Sequence, residues 1–584
     1  MNFETLPDEL ILLICRYLSS SDILYSLFNL NSRLNRTILI YRQHVILRLT
    51  SYNQFEYLCL NVLPKIGSTI RSLTINTNWT DLIAKRFYFY FGERMKEIFP
   101  NIERLTLVAF SGSELNDYMI SISDLIYLKQ LTIQDRYNIT EEYKQVLFDK
   151  ILSANNNRLE KICFNRHSES LSINPINSIV YSNIIQLNIH LEKITDLQCL
   201  MKLIPNIRRM NIVIDNQSDD IIIHFHEEFI LTYLIEFHLE SFRRNWIFDE
   251  IYSLLKQMPF LQTLSLDLFS QDFHLSNGQH IVPILPINTL QNLNYAIEYE
   301  PEVEIESIEN IISSWTSTPY PISCLSANGT TQIFLHTIPY NFPYLDINSS
   351  YAKRMNKKLG DYSPRIKELL LFNVSTLAET FIAISNCTKI KDLALEIGDE
   401  PSEIIEDEQK EKENILLPSL NKLHWLSIDG CPPDVHLLKE ILIASPNLSL
   451  LVIDMKYLIR LFDIEDNQSC LLLLKNRIRN LSIQIEDEAE MNDLIFEKLS
   501  KIFIHIRHII VEIKLTNGLS IENFLLFFFK YFQNHQLISI IVRGCTTEQL
   551  RNNPSQWLID HTYLNTFTNQ FQADCDDVEF KIWF

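Results

Sequence analysis

Three observations predict an α/β fold for this sequence: a short N-terminal α-helical block followed by a curved solenoid with parallel strands inside and helices outside. A triplet of apolar residues recurs along the chain, helix-period segments separate the triplets, and the chain opens on a run of short apolar helices. The expected layout is a helical domain over residues 1–50 and the solenoid over 51–584, with an irregular insertion around 295–365 and an acidic loop at 396–414.

The opening stretch is "LPDELILLICRYL", Leu6 to Leu18. Pro7 suits the first turn of a helix, where its missing N–H costs nothing. Asp8 and Glu9 complement the positive end of the helix dipole. Leu10 to Ile14 are all apolar, and five residues at about 100° each sweep the whole helix circumference. "SSSD", Ser19 to Asp22, breaks and restarts the chain, and "DILYSLFNLNSRLNRTI" adds two further short apolar helices. A three-helix block of about forty residues cannot cover so much apolar surface by itself. The surplus calls for a second surface.

The recurring triplet is one apolar residue, two of any kind, an apolar residue, one of any kind, and an apolar residue. "IRSLTI" at Ile70 carries it, as do "IERLTL" at Ile102, "LKQLTI" at Leu128, "LEKICF" at Leu159, "IIQLNI" at Ile184, "IRRMNI" at Ile207, "LIEFHL" at Leu234 and "LQTLSL" at Leu261. The series resumes with "IKELLL" at Ile366, "IKDLAL" at Ile390, "LHWLSI" at Leu423, "LSLLVI" at Leu448, "IRNLSI" at Ile478, "IRHIIV" at Ile506 and "LISIIV" at Leu537. Alternation in the last two positions predicts a short strand with one buried face. Leu73, Ile75, Leu105, Leu107, Leu264 and Leu266 are expected inside, and Thr74, Thr106 and Ser265 between them on the concave side.

Helix-period segments fill the intervals: Thr80 to Phe99, Asp249 to Met258, a helix starting at an N-cap Asp434, Glu490 to Phe503, and one beginning at Ser520. Such strand–helix stretches bury their faces only by stacking on neighbours. The pattern breaks between about Leu293 and Ile366, where Asn328-Gly329 predicts a hairpin turn. The end of the chain, "DVEFKIWF" from Asp577, alternates like a last strand.

Residues 65 to 550 resemble the leucine-rich-repeat family in its longer, helix-containing form. That family places Asn or Cys three residues after the third apolar position. Asn78 and Cys431 fit, whereas Phe110, Arg136, His167 and Asp215 stand at the equivalent places elsewhere. The block Leu6 to Ile38 resembles an F-box. Its Leu-Pro start, acidic pair, Tyr-Leu before a serine turn, Asp-Ile-Leu and Arg-Leu fall in register, while Leu13 and Asn31 depart from the usual residues. The resemblance implies docking on the Skp adaptor protein and, through it, on a cullin ubiquitin ligase, with the repeats capturing a protein substrate. The adaptor-binding candidates are Leu6, Pro7, Leu10, Ile14 and Leu18 on the first helix and Ile23, Leu24 and Leu27 on the second. The chain then acts as a receptor, not a catalyst. A leucine-rich-repeat scaffold that binds proteins without ubiquitin is the alternative, and an enzyme the third class.

Composition narrows the classes further. The formal net charge of −21 repels phosphate backbones and anionic membrane surfaces, so neither nucleic acid nor membrane is an expected partner. No two of the ten glycines lie closer than Gly92 and Gly112, which excludes a glycine-clustered phosphate loop and any cofactor that needs one. Ten cysteines, from Cys15 to Cys575, form no C-x-x-C pair, as expected for reduced thiols in the cytoplasm or nucleus. Glu4, Asp8 and Glu9 precede the first apolar run, where a signal peptide carries basic residues. His224 and His226 with Glu227 and Glu228 lack the ligand count of a metal site, and His505 and His508 read as ordinary polar positions. Nine carboxylates against two lysines in Glu396 to Asn414 read as a solvated loop. No catalytic, cofactor-binding or metal-ligating residue is assigned.

Overall fold

The computed structural model describes residues 6–48, 50–134, 141–173, 179–214, 225, 230–301, 308–326, 332–355, 362, 365–398, 417–432, 436–463, 467–487, 490–514, 520–533, 536–567 and 570–584. The fold is mixed α/β with largely parallel sheets. Two compact units divide the chain: Met1–Cys324 with Phe334–Thr337, and Leu325–Ile333 with Ile338–Phe584. The division expected at residue 50 does not appear, because the strand after the N-terminal helices already belongs to the first sheet.

That sheet has twelve strands. Ten lie in chain order: β1 (His44–Leu47), β2 (Ser72–Asn76), β3 (Arg104–Val108), β4 (Gln130–Gln134), β5 (Lys161–Phe164), β6 (Gln186–Leu191), β7 (Arg209–Ile214), β8 (Glu236–Asn245), β9 (Thr263–Ser270) and β10 (Asn292–Tyr299). From β1 to β10 every neighbour is parallel. The order then runs β12 (Ile333–Thr337) and, at the edge, β11 (Ile322–Ser326). These two are adjacent, as a hairpin requires, but its expected turn at Asn328-Gly329 lies outside the described residues.

The apolar triplets set the register. Leu73 pairs with Leu105, Leu105 with Leu131, Leu131 with Ile162, and so on to Leu264 with Leu293. Leu73, Ile75, Leu105, Leu107, Leu264 and Leu266 are all fully buried, as expected. The residue after the first apolar position of each triplet donates its N–H to the same position one triplet earlier. Glu103 N donates to Arg71 O (2.8 Å), Lys129 N to Glu103 O (2.9 Å), Glu160 N to Lys129 O (2.9 Å) and Ile185 N to Glu160 O (2.9 Å). A side-chain rung sits beside this ladder. Asn101 Nδ2 donates to Ser68 O (2.7 Å), Asn206 Nδ2 to Ser182 O (2.9 Å) and Asn447 Nδ2 to Asn421 O (2.6 Å). Each of these asparagines stands in Pro-Asn-Ile or Pro-Asn-Leu, directly before a triplet.

The second sheet has ten strands: β13 (Tyr344–Asn348), β14 (Glu368–Val374), β15 (Asp392–Ile397), β16 (Trp425–Asp429), β17 (Leu450–Asp454), β18 (Asn480–Ile485), β19 (His508–Ile513), β20 (Ser539–Arg543), then β22 (Glu579–Trp583) and β21 (Gln572–Cys575). Neighbours are parallel from β13 to β20, and β20–β22 and β22–β21 are antiparallel. The expected last strand is therefore present but reversed. Two sheets stand where one was expected, and the stretch around 295–365 is less irregular than expected. β10 continues the first sheet with Tyr295 opposite Leu266, and β13 begins the second with Leu345 opposite Leu369.

Expected helices also form. Phe248–Lys256, Asp493–Ile502 and Ile521–Tyr531 are helical, with N-caps Asn492 accepting from Ile495 N and Ser520 from Asn523 N on the last two. The helix expected from Glu490 thus starts later, where Asn492 can cap it. The segment Thr80 to Phe99 is broken at Gly92–Arg94, between helices Leu82–Phe91 and Met95–Ile98. Asp434 and the acidic stretch 399–416 lie outside the described residues. Among the described residues no helix is long and apolar enough to cross a membrane.

His336, on β12, is fully buried, and burial depresses its imidazole to about 4 even though Thr337 O faces Nδ1 at 3.0 Å. A folded-state value below the unfolded one of about 6.5 means stability present above pH 6.5 and lost as pH falls towards 4. The full loss is about 3 kcal/mol. Asp196 is raised to about 6 by burial and acts in the opposite sense, losing its contribution as pH rises from about 4 to 6. The expected outcome is that His336→Gln flattens the acid limb of a denaturant-unfolding series between pH 6.5 and 4.

Candidate functional site: the apolar face of the N-terminal helices

Four short helices precede β1: α1 (Asp8–Cys15), α2 (Ser20–Leu27), α3 (Ser32–Thr37) and α4 (Leu39–Gln43). Local chemistry sets each boundary. Pro7 stands just outside α1, not in its first turn, and its carbonyl accepts from Leu10 N and Ile11 N at 3.1 Å. Ser19 caps α2 by accepting from Asp22 N at 3.0 Å. Asn31, a departure from the F-box pattern, caps α3 by accepting from Leu34 N at 2.8 Å. A side-chain carbonyl is needed there to satisfy an N–H that a helix start leaves open.

The entry to α1 is fastened to α3. Arg33 Nε donates to Asp8 Oδ1 at 2.8 Å, and the Arg33 guanidinium also donates to Leu6 O. The hydrogen bond from Arg33 is the main reason the Asp8 carboxyl lies below the usual carboxylate range. The block is fastened in turn to the sheet. Ser20 Oγ accepts from Ile46 N at 2.8 Å and faces Ile46 O at 3.3 Å, which occupies the outer edge of β1. Gln54 Nε2 donates to Asp22 Oδ1 at 2.9 Å. An edge strand covered in this way cannot pair with another chain.

Packing then divides the eight sequence candidates. Ile11 and Cys15, one helical turn apart, are the inward stripe of α1. Ile23, Leu24 and Leu27 are buried with Phe28, Leu34 and Ile38. These three hold the block together and present no surface, which corrects their assignment as adaptor contacts. Leu6 is half-buried and Pro7 exposed. Leu10, Ile14 and Leu18, each four residues apart, are 46%, 39% and 42% exposed. Leu13 and Tyr17 form a second exposed pair at the same spacing, and Tyr25 of α2, edge-on to Tyr57 at 5.2 Å, is also exposed. Leu13, Tyr17 and Tyr25 were missed in the sequence. No local signal separates the outward set from the inward one, because Leu10 and Ile14 have the same four-residue spacing as Ile11 and Cys15.

The other sequence candidates scatter. Thr74 and Thr106 are half-exposed on the face opposite the buried leucines, but Ser265 is buried and its Oγ accepts from Asn294 Nδ2 at 3.0 Å. Asn78 has a buried Oδ1 without a partner, and the turn beside it is held instead by Thr77 Oγ1 against Val108 O (2.8 Å) and Ala109 O (2.6 Å). His224, His226, Glu227 and Glu228 lie outside the described residues. His508 is buried with Nδ1 2.8 Å from Ser539 Oγ, while His505 is exposed. Among the described residues no three His, Cys, Asp or Glu side chains come together as a metal site. No protein-family model matches the chain, and no curated protein sequence matches it.

Proposed function

We propose that this chain is the substrate-recognition subunit of a Skp-cullin-F-box ubiquitin ligase. In this reading residues 6–38 form the F-box, and the in-register strands form a leucine-rich-repeat-like solenoid that captures the protein to be ubiquitinated. One observation carries the reading: the exposed apolar residues Leu10 and Ile14 on a helix whose entry is pinned by Arg33, with exposed Leu18 in the turn that follows it. Exposed leucines at helical spacing on a rigid block are what a partner helix or groove buries. Capture on the strands and docking at the helices would hold substrate lysines at high effective concentration near the ubiquitin-charged enzyme. The receptor role needs no catalytic group on this chain.

Affinity purification of the full chain from cells, with and without a proteasome inhibitor, tests the assignment. A Skp-family adaptor and a cullin are expected in both eluates, and a substrate is expected to accumulate with the inhibitor. Recovery of other proteins without any adaptor favours the ubiquitin-independent scaffold.

A further inference from the structure

The solvent faces of the two sheets differ in chemistry. Across the first sheet the positions between buried triplet residues read Thr74, Thr106, Thr132, Cys163, Asn188 and Asn211 in register. The equivalent row of the second sheet reads Leu370, Ala394, Ser427, Val452, Ser482 and Ile510. Trp425 and Leu450, opposite each other in the register, lie one position before Ser427 and Val452 on the same face. Leu370, Trp425, Leu450, Val452 and Ile510 are all half-exposed. An alternating strand normally turns polar residues to solvent. Trp425, Leu450 and Val452 are neighbours on that face, and an exposed apolar cluster is the mark of an interaction surface.

A row of carboxylates borders the band at the strand ends: Glu396, Asp429, Asp454 and Glu512. Glu396 and Asp429 are directly opposite each other in the register, an arrangement that costs stability when both are charged. Among the described residues none of Glu396, Asp429 and Glu512 has an ion-pair partner. Asp454 is 8% exposed and accepts only from Gly430 N, at 2.8 Å. Burial, then Asp429, raises the carboxyls of both Glu396 and Asp454. The nearby Lys456 and Lys514 are both committed to Glu486. Lys367, Lys391, Arg479 and Arg507 mark the opposite margin. They stand about 16 Å away along the strands, beyond the screening length of about 8 Å at physiological salt. Counting Glu486, the five carboxylates outnumber the two lysines, Lys456 and Lys514, that act on them, so the margin keeps a net negative potential.

We infer that this face docks an extended protein segment with alternating apolar and basic side chains, the apolar ones on the Trp425–Leu450–Val452 band and the basic ones on the Glu396–Asp429–Asp454 margin. Crossing five strands at about 4.8 Å takes a segment of about seven residues. The alternation gives one set of side chains to each feature. The inference rests on the part of the proposed reading that gives capture to the strands, and not on adaptor binding, which is measured separately.

The test uses the full chain and a fluorescein-labelled octapeptide of alternating Leu and Lys, with Leu-Glu and Ser-Lys peptides of the same length beside it. Anisotropy should report saturable binding of the Leu-Lys peptide alone, weakening with salt. Trp425→Ser with Val452→Ser, and independently Glu396→Gln with Asp429→Asn, should each weaken binding by roughly tenfold or more. The second pair removes repulsion and keeps shape, so it remains informative if the first perturbs folding. Leu10→Ser with Ile14→Ser should leave peptide binding unchanged. Equal binding of the Leu-Glu peptide, or wild-type affinity in both face variants, overturns the inference. So does concentration-dependent dimerisation that Trp425→Ser with Val452→Ser abolishes, since a second copy would then be the occupant.

Discussion

Replacing Leu10, Ile14 and Leu18 together by Ser is expected to cost most of the affinity for a Skp-family adaptor while leaving the fully buried residues of the block in place. The three side chains already expose 46%, 39% and 42% of their surface. A partner can therefore gain only that remaining fraction of the roughly 1.5–3 kcal/mol that full burial of such a residue is worth. Summed over three residues this is about 2–4 kcal/mol, or roughly 30- to 700-fold in Kd. The same substitutions leave the fully buried residues of α1, Ile11 and Cys15, in place, and give up only the part of each side chain that rests on the block. Ile11→Ser is the contrasting variant. It buries a hydroxyl in the block, and is expected to lower both adaptor affinity and stability. Titration of adaptor into each variant, alongside differential scanning calorimetry, separates the two effects.

Glu250→Ala is expected to destabilise the first compact unit by about 3–5 kcal/mol, because it breaks a buried ion pair by removing one partner. Arg244, at the end of β8, donates to Glu250 Oε1 at 2.6 Å, and their side chains are 5% and 1% exposed. The guanidinium also lies 5.4 Å from the ring centre of Trp246, and Glu250 Oε2 accepts from Ile247 N at 3.4 Å at the start of its helix. Removing the carboxylate takes the acceptor Glu250 Oε1 from a buried guanidinium. Arg244→Met combined with Glu250→Leu should recover much of the loss, since an apolar pair of similar volume avoids desolvating two charges. Denaturant unfolding of the single and double variants measures this. Equal losses in both would show that packing, and not the unpaired charge, sets the cost.

The register of the strands was legible because each triplet places two leucine-like residues on one face at period two, and the structure buries them. Three of the four strands that escaped, all but β21, did so for identifiable reasons. β1 has Val45 and Leu47 but no apolar residue three positions before Val45. β10 carries Tyr295 where most other triplets have an aliphatic residue. β13 follows Pro339 and Pro343, which suggested irregular chain, yet Pro343 needs only its carbonyl there, accepting from Lys367 N at 2.6 Å. The separation into two sheets was not legible, because a triplet encodes pairing with its neighbours and nothing longer in range. Nor could five consecutive apolar residues reveal which of them face inward. The phase of α1 is set by tertiary contacts, through the Arg33–Asp8 bond to α3 and the burial of Ile11 and Cys15. The Pro-Asn-Ile and Pro-Asn-Leu tripeptides were visible, but their meaning depends on a carbonyl one triplet earlier in the chain.

Isothermal titration of the purified full chain with a purified Skp-family adaptor tests the central claim most directly. The account predicts saturable one-to-one binding with a negative heat-capacity change, the signature of apolar burial, and loss of that binding when Leu10, Ile14 and Leu18 are changed to Ser. No heat and no complex at micromolar concentrations, or binding that the triple variant retains in full, would contradict it.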